Sequence, residues 1–430
     1  MNEHPALQFH VIAFEGPDAY ARAGGLSSRV SGLTEALAEA SFETHLWFIG
    51  DPGLPGHETK GALRLHRWCQ WISAHHPGGV YDGEEGKRLD LAASLPPFLV
   101  HETLLPHLRA GAGQAVILAE EWQTPDTLFH LDWLLRTCGV RDRVSILWNA
   151  NNIFGFERID WRRLAGVAVV TTVSRYMRHR MWSLGVDPVV IPNGLPVRAF
   201  SLPEPQALTE LHQRLGERLL LSKVARWDPD KRWLLAIDAV GELKRQGLHP
   251  LLVARGGVEE HGAEVLGRAA AAGLRVVERR MPAPGASGVL ASLGGLEDVD
   301  VLNVRSRLDS EAQRLLFRGS TAMLANSGHE PFGLVGLEAM AVGGVAWVGG
   351  TGEDYAVPGW NTLVVQSADP GECARIARRL HTNPAEGQSL RRHGRTTARR
   401  YGWQEVVRRN LLPSIPVLSG HLPLTPPVGA

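Results

Sequence analysis

Three cysteines in 430 residues leave little room for disulfide or thiol chemistry. Cys69, Cys138 and Cys373 lie far apart, and no two have the spacing of a zinc or redox motif. An odd cysteine count suits a reducing compartment, so a cytoplasmic protein is expected. An excess of one charge is also lacking. The 45 Lys+Arg balance 45 Asp+Glu, which argues against a protein that coats nucleic acid. No window approaches ~18 apolar residues, the length of a membrane span. The start MNEHPALQFHVIAF has neither the basic opening nor the apolar core of a signal peptide. Four common signatures are missing: the P-loop, a complete G-x-G-x-x-G after a strand, H-E-x-x-H and G-x-S-x-G. Their absence weighs against nucleotide-hydrolysing motors, dinucleotide oxidoreductases, zinc proteases and α/β-hydrolases. No histidine cluster suggests a metal site. Lysine is scarce, five residues against forty arginines, so each retained lysine carries information.

What is present is alternation. Short apolar runs at 9–14, 44–49, 115–119, 144–148, 167–172 and 189–191 read as strands. Helical periodicity lies between them, as at 26–38, where Val30, Leu33, Ala36 and Leu37 share one face. The run IPNGLPVRAFSLPEP at 191–205 breaks the pattern and reads as a domain linker. Alternation then restarts, with strands at 219–224, 251–254, 275–277, 299–304, 322–325, 345–348 and 363–365. Helices are expected at 232–245, 263–271, 310–318, 334–341, 372–380 and 404–412. The fold class is therefore α/β, with two doubly wound, Rossmann-like domains facing across a cleft. Ligands in such folds gather at the carboxyl ends of the strands, and the cleft is the default site.

Three segments can carry chemistry. In VARWDPDKRWLLAIDAV a strand ends before Arg226, and Asp228 reads as a helix N-cap with Pro229 behind it. That places Lys231 in the first helical turn, where a cation opposes the helix dipole unless an anion neutralises it. Arg226 and Lys231 read either as a diphosphate clamp or as solvated charges paired with Asp228 or Asp230. In SGHEPFGLVGLEAMAVGG, Glu330 precedes a proline and is expected to be extended. Glu338 sits on an apolar helix, where a carboxylate needs a partner: a ligand hydroxyl pair such as a ribose, or an arginine. In FEGPDAYARAGGLSSRV, Gly24 and Gly25 at a helix start let backbone amides approach a phosphate.

Together these segments resemble the retaining glycosyltransferases of family 4 and the related bacterial glycogen and starch synthases, which share the GT-B architecture. The resemblance runs from about Phe9 to Val407. It is most specific at EPFGLVGLE, where seven residues separate Glu330 from Glu338, and at the Arg226–Lys231 pair. VSRYM at 173–177 and VVIPNG at 189–194 add to it. The resemblance implies an acceptor-side domain at 1–195 and a nucleotide-sugar domain at 196–400. Residues 401–430 are expected as a helix packing back towards the first domain and a proline-rich tail. Gly24 and Gly25 match the loop near the donor phosphates, with Arg22 where the synthases carry a lysine. Arg226 and Lys231 match the diphosphate pair, and Glu330 matches the acid beside the donor sugar. Phe332, Gly333 and Leu334 match the backbone that holds sugar hydroxyls and phosphate, and Glu338 matches the ribose-binding acid. Glu121–Trp122 looks like the acceptor-side Asp-Trp pair. Many relatives also place a histidine after the strand at 144–148; here Asn149 or Asn151 stands nearest.

The implied activity is retaining, metal-independent transfer of a hexose, glucose above all, from UDP- or ADP-sugar to a carbohydrate or small hydroxyl acceptor. No cofactor is implied beyond that co-substrate, and no nucleic-acid partner. Peripheral membrane contact through the arginine-rich stretch 391–400 is not favoured over a solvated helix face. A nucleotide-sugar 2-epimerase on the same fold, or a silent glycan-binding protein, are the competing readings. The 13 tryptophans are read mainly as ordinary burial, and His75–His76 as a solvated turn.

Overall fold

The computed structural model describes residues 7–111 and 113–416, so part of the N-terminal stretch and most of the proline-rich tail lie outside the described residues. The chain divides into two compact units, one within Met1–Pro196 and Tyr401–Ala430, the other Val197–Arg400. In the first, the strands are β1 (Leu7–Ile12), β2 (Glu43–Ile49), β3 (His57–Lys60), β4 (Leu63–Trp68), β5 (Gln114–Glu120), β6 (Val144–Ala150), β7 (Val169–Thr172) and β8 (Val189–Val190). They form one sheet in the order β3-β4-β2-β1-β5-β6-β7-β8, parallel except for the antiparallel β3–β4 pair. Strands β1 and β6 are buried along their whole length, as expected of a parallel sheet covered on both faces.

The second unit holds β9 (Leu219–Val224), β10 (Pro250–Arg255), β11 (Val276–Arg279), β12 (Val301–Val304), β13 (Ala322–Ala325), β14 (Ala346–Val348) and β15 (Leu363–Val364). Its order is β11-β12-β10-β9-β13-β14-β15, and every pair is parallel. Each unit has its own hydrophobic core. Residues 403–415 join the first: Trp403, Val406, Val407, Leu411 and Ile415 pack into the core built on β1, β2 and the helix Gly25–Glu39. Among the described residues no helix is long and apolar enough to cross a membrane.

Three features differ from the sequence reading. Strands β3 and β4 were not expected. In β4 apolar residues occupy alternate positions, Leu63 and Leu65 inward and Arg64 outward, so the segment contains no apolar run. The helix expected at 404–412 is a single α-turn, Trp403–Val406, followed by a π-helical turn, Val407–Leu411. Lys231 is not in the first turn of the long helix. It ends a separate 3₁₀ turn, Pro229–Lys231, capped by Asp228. Arg232 then takes a left-handed conformation (φ +51°) before the helix Trp233–Arg245 begins.

One face of the first sheet carries a line of imidazoles. His10 pairs with His45 across β1–β2, and His57 with His66 across β3–β4. Trp47 Nε1 donates to His10 Nδ1 at 3.2 Å, and an indole can only donate. This fixes the direction of the chain: His10 Nε2 donates to Gln8 Oε1 (2.9 Å) and Gln8 Nε2 to His45 Nε2 (3.2 Å). His45 Nδ1 then donates to His66 Nε2 (2.9 Å) and His66 Nδ1 to His57 Nδ1 (2.8 Å). His10, His45 and His66 are neutral in this relay, because a second proton would set an N–H against the donor that each ring accepts from, although the Glu43 carboxylate also lies 3.4 Å from His45 Nε2. Burial pushes His10 well below its ordinary range, His45 down to about 4 and His66 down to about 3. Glu43 opposes the shift at His45, while Arg64 and His107 reinforce it.

The unfolded chain binds these protons below about pH 6.5 and the folded chain does not. Stability conferred by the relay is therefore complete above pH 6.5 and lost as pH falls through 4. Each proton taken up on unfolding tilts stability by about 1.4 kcal/mol per pH unit. Denaturant unfolding between pH 7.5 and 4.5 should show this loss, with a shallower slope for His66→Gln. A pH-independent midpoint would contradict the neutral relay.

Candidate functional site

In the second unit the site grows from the carboxyl ends of two neighbouring strands, β9 and β13. After β9 the chain passes through Arg226, whose backbone carbonyl accepts Trp233 Nε1 at 2.7 Å. Trp227 turns inward and packs against Trp233 with ring centroids 4.2 Å apart. The backbone is thus pinned from below while the Arg226 side chain stays 71% exposed, with Asp228 3.9 Å away as its one ion-pair partner among the described residues. Asp230 ties this turn to the loop after β13. Its backbone carbonyl accepts Gly328 N (2.7 Å), and its carboxylate accepts the backbone N–H of His329 (3.1 Å).

That tie brings together residues ninety-nine positions apart. Lys231 Nζ donates to Glu330 Oε2 at 2.7 Å, both side chains about one-fifth exposed. Lys231 therefore pairs with Glu330 rather than with Asp228 or Asp230. Glu330 N donates to Thr351 Oγ1 (2.8 Å), and Thr351 N donates to Glu353 Oε2 (3.1 Å). Glu353 is 5% exposed, its Oε1 is buried without a partner, and burial with the nearby Glu330 charge pushes its carboxyl up to about 7. Phe332 is buried, and Gly333 precedes the helix Leu334–Ala341. A Cβ on Gly333 would lie 2.7 Å from Glu353 Cγ, so only glycine fits there. Leu334 N already donates to Phe332 O at 2.9 Å. Glu338, within this helix, has no hydrogen-bond or ion-pair partner among the described residues, and burial pushes its carboxyl up to about 7. The arginine partner considered from sequence is thus absent among the described residues, and the half-buried Glu338 carboxylate awaits donors.

Sequence reasoning did not single out Glu353 or Lys223. Lys223 is buried on β9, its Nζ donating to Asn326 Oδ1 (2.6 Å) and Leu324 O (3.2 Å) and lying over the Trp233 ring. Burial, then the Lys231 charge, pushes it down to about 7. The scarcity of lysine was the available signal. Lys87 is likewise buried and donates to four oxygens, on Tyr20, Gly79, Val80 and Asp82.

In the first unit the glycine loop differs from expectation. Glu15, 3% exposed, accepts the amides of Ala23 (3.3 Å), Gly24 (2.9 Å) and Ser27 (3.0 Å) on Oε2, and the Tyr81 hydroxyl (2.8 Å) on Oε1. The protein's own carboxylate thus holds the helix N-terminus, and a phosphate reaching the Gly24 amide must displace it. Gly25 faces open space. Arg22 donates to Pro17 O (2.7 Å).

Glu121 takes a left-handed conformation (φ +70°), uncommon for a residue with a Cβ. Its carboxylate accepts Asn151 N (2.9 Å) and Asn152 Nδ2 (3.2 Å), and burial pushes it up to about 8. Trp122 lies beneath the Arg158 guanidinium, 4.1 Å from its centroid, and a Cβ on Gly155 would collide with its ring. Asn149 and Asn151 both donate from Nδ2 to Glu120 Oε2, at 2.8 and 2.7 Å. Thr171 occupies the Asn149 carbonyl (2.9 Å), and Glu120 is bridged to the buried Arg29 at 3.0 Å. Asn149 therefore serves an internal network and offers no free amide.

No family model matches the chain, and no curated protein matches it in sequence. Solved structures do. Sucrose-phosphate synthase from Thermosynechococcus elongatus is 18% identical with a TM-score of 0.61, over 94% of this chain and 97% of that one. The catalytic domain of starch synthase IV from Arabidopsis thaliana, bound to ADP and acarbose, is 15% identical with a TM-score of 0.62, over 94% and 99%. HepE from Anabaena in complex with UDP-glucose is 15% identical with a TM-score of 0.58, over 94% and 98%. At these identities the likeness is one of fold: the two Rossmann-like units have the GT-B fold of these glycosyltransferases.

Proposed function

We propose that the chain is a glycosyltransferase that moves a hexose, glucose by preference, from a nucleoside-diphosphate sugar to a hydroxyl acceptor with retention of configuration and without a metal. The observation that carries this reading is the convergence of Lys231, Glu330 and an uncommitted Arg226 at the carboxyl ends of β9 and β13, with the unpartnered Glu338 on the helix that follows β13. Breaking a sugar–phosphate bond leaves negative charge on the departing diphosphate. Arg226 and Lys231 supply fixed positive charge for that growing charge, as an oxyanion hole does for an oxyanion. Glu330 holds the lysine in place and presents its second oxygen to the sugar. Glu338 accepts two hydroxyls of a ribose, which favours its ionised form. The ADP bound by the starch synthase and the UDP-glucose bound by HepE fit this division of roles.

Two expected outcomes follow. Lys231→Ala lowers kcat/KM for transfer by at least ~100-fold, about 2.7 kcal/mol of transition-state stabilisation, with an unchanged circular dichroism spectrum. Undiminished transfer would remove the diphosphate assignment. Donor affinity also depends on pH, because Glu338, raised to about 7, is protonated in the free enzyme below that pH and must ionise to accept the ribose. Affinity is therefore full above pH 7.5 and falls by up to about tenfold per pH unit below 7. Calorimetric titration of the donor should show this slope, and Glu338→Gln should weaken binding and flatten it.

A further inference from the structure

At the amino ends of the central strands of the second sheet lies a cavity of about 260 Å³. Its lining includes Arg218, Arg391, His212, His381, Thr321 and Gln388, and no acidic residue. Leu220 is the second residue of β9 and Thr321 immediately precedes β13, whereas Arg226 and Glu330 follow the far ends of those strands. With roughly 3.3 Å per strand residue, about 20 Å separates the cavity from the donor site.

The cations here are held by backbone carbonyls, several of them at helix C-termini, rather than by ion pairs. Arg391 donates to the carbonyls of Arg318 (2.6 Å), Gly343 (3.1 Å) and Ser320 (2.7 Å). Arg318 donates to the same Gly343 carbonyl (2.5 Å), so two guanidinium groups converge on one oxygen. Arg218 donates to the carbonyls of Leu296 (2.5 Å), Pro250 (2.9 Å) and Val299, and its Nε is buried without a partner. Carbonyls satisfy N–H groups but neutralise no charge. All three arginines are half-buried, and among the described residues none has a carboxylate within ion-pair distance, although Asp300, Glu297 and Asp298 act on Arg218 from farther away. Burial pushes Arg391 down to about 10, with Arg318 as the second cause. The cavity also receives the first turns of the helix Pro384–Arg399, the positive end of its dipole. Gly387 stands in those turns, and a Cβ there would meet nothing within 4 Å, so the helix end is open to a ligand.

We infer that this cavity binds a phosphate group, free or carried on a small metabolite, between Arg218 and Arg391, the two arginines in its acid-free lining. The inference stands independently of the donor-site reading.

The test is a melting and calorimetric titration of the full chain with inorganic phosphate and with a hexose phosphate, against chloride at matched ionic strength. A saturable rise in melting temperature is expected, with chloride giving none. The donor clamp can also take phosphate, so Lys231→Ala is run alongside and is expected to retain the response. Gly387→Asp and Gln388→Glu place a carboxylate at the cavity and are expected to weaken phosphate binding at least tenfold. Without phosphate, Gly387→Asp is expected to melt no lower than wild type, because its carboxylate supplies a counter-charge. Tighter binding of the hexose phosphate identifies a metabolite, and equal binding identifies phosphate itself; either supports the site. A response that is absent, is matched by chloride, or is lost in Lys231→Ala yet kept in Gly387→Asp overturns it.

Discussion

The 2.7 Å contact between Lys231 and Glu330 joins two loops that no local sequence pattern connects. One loop follows β9 and the other follows β13, and the contact holds a cation and a carboxylate side by side where a parallel sheet gathers its ligands. Asp230 reinforces the same junction through backbone amides, so the geometry does not rest on one flexible lysine. With both side chains about one-fifth exposed, the pair is partly screened and contributes modestly to stability. Its value is positional. Glu330 holds Lys231, Arg226 stays exposed with a 3.9 Å contact to Asp228, and the buried Glu353 is tied to the Glu330 backbone through Thr351.

The remainder of the chain handles buried charge in three ways. In the first unit Glu120 is matched by Arg29 and by two asparagine amides, a closed network beneath the loops after β5 and β6. At the glycine loop the compensation comes from an internal anion, since Glu15 answers the amides of a helix N-terminus. In the histidine relay charge is avoided, His10, His45 and His66 being neutral and each accepting on one ring nitrogen and donating from the other. The cavity at the amino ends of the central strands of the second sheet follows none of these patterns, which is why it reads as a place for a ligand.

Much of the fold was legible because parallel strands covered on both faces are short apolar runs. β9, β13 and the helix Leu334–Ala341 have the bounds read from sequence. β4 was not legible, because only alternate residues are apolar, and its partner β3 is a short, mostly exposed edge strand. The 3₁₀ turn at Lys231 depends on a left-handed Arg232, which has no sequence signal when the residue is not glycine. Site chemistry was legible as residue types and spacing, as at Glu330 and Glu338. It was not legible where a partner is supplied from far along the chain: Glu330 for Lys231 and Glu120 for Arg29. Those pairings follow from the strand order, which places β13 beside β9 and β5 beside β1.

The central claim is that the ends of β9 and β13 recognise a nucleoside-diphosphate sugar. The most direct measurement is the melting temperature of the full chain in the presence of UDP-, ADP- and GDP-glucose and the corresponding nucleoside diphosphates. A ligand at about 100 times its dissociation constant stabilises the fold by ~2.7 kcal/mol, a readily visible shift. The expected result is a selective rise with one nucleotide and its glucose conjugate. An unchanged melting temperature with every member of the panel would contradict the account.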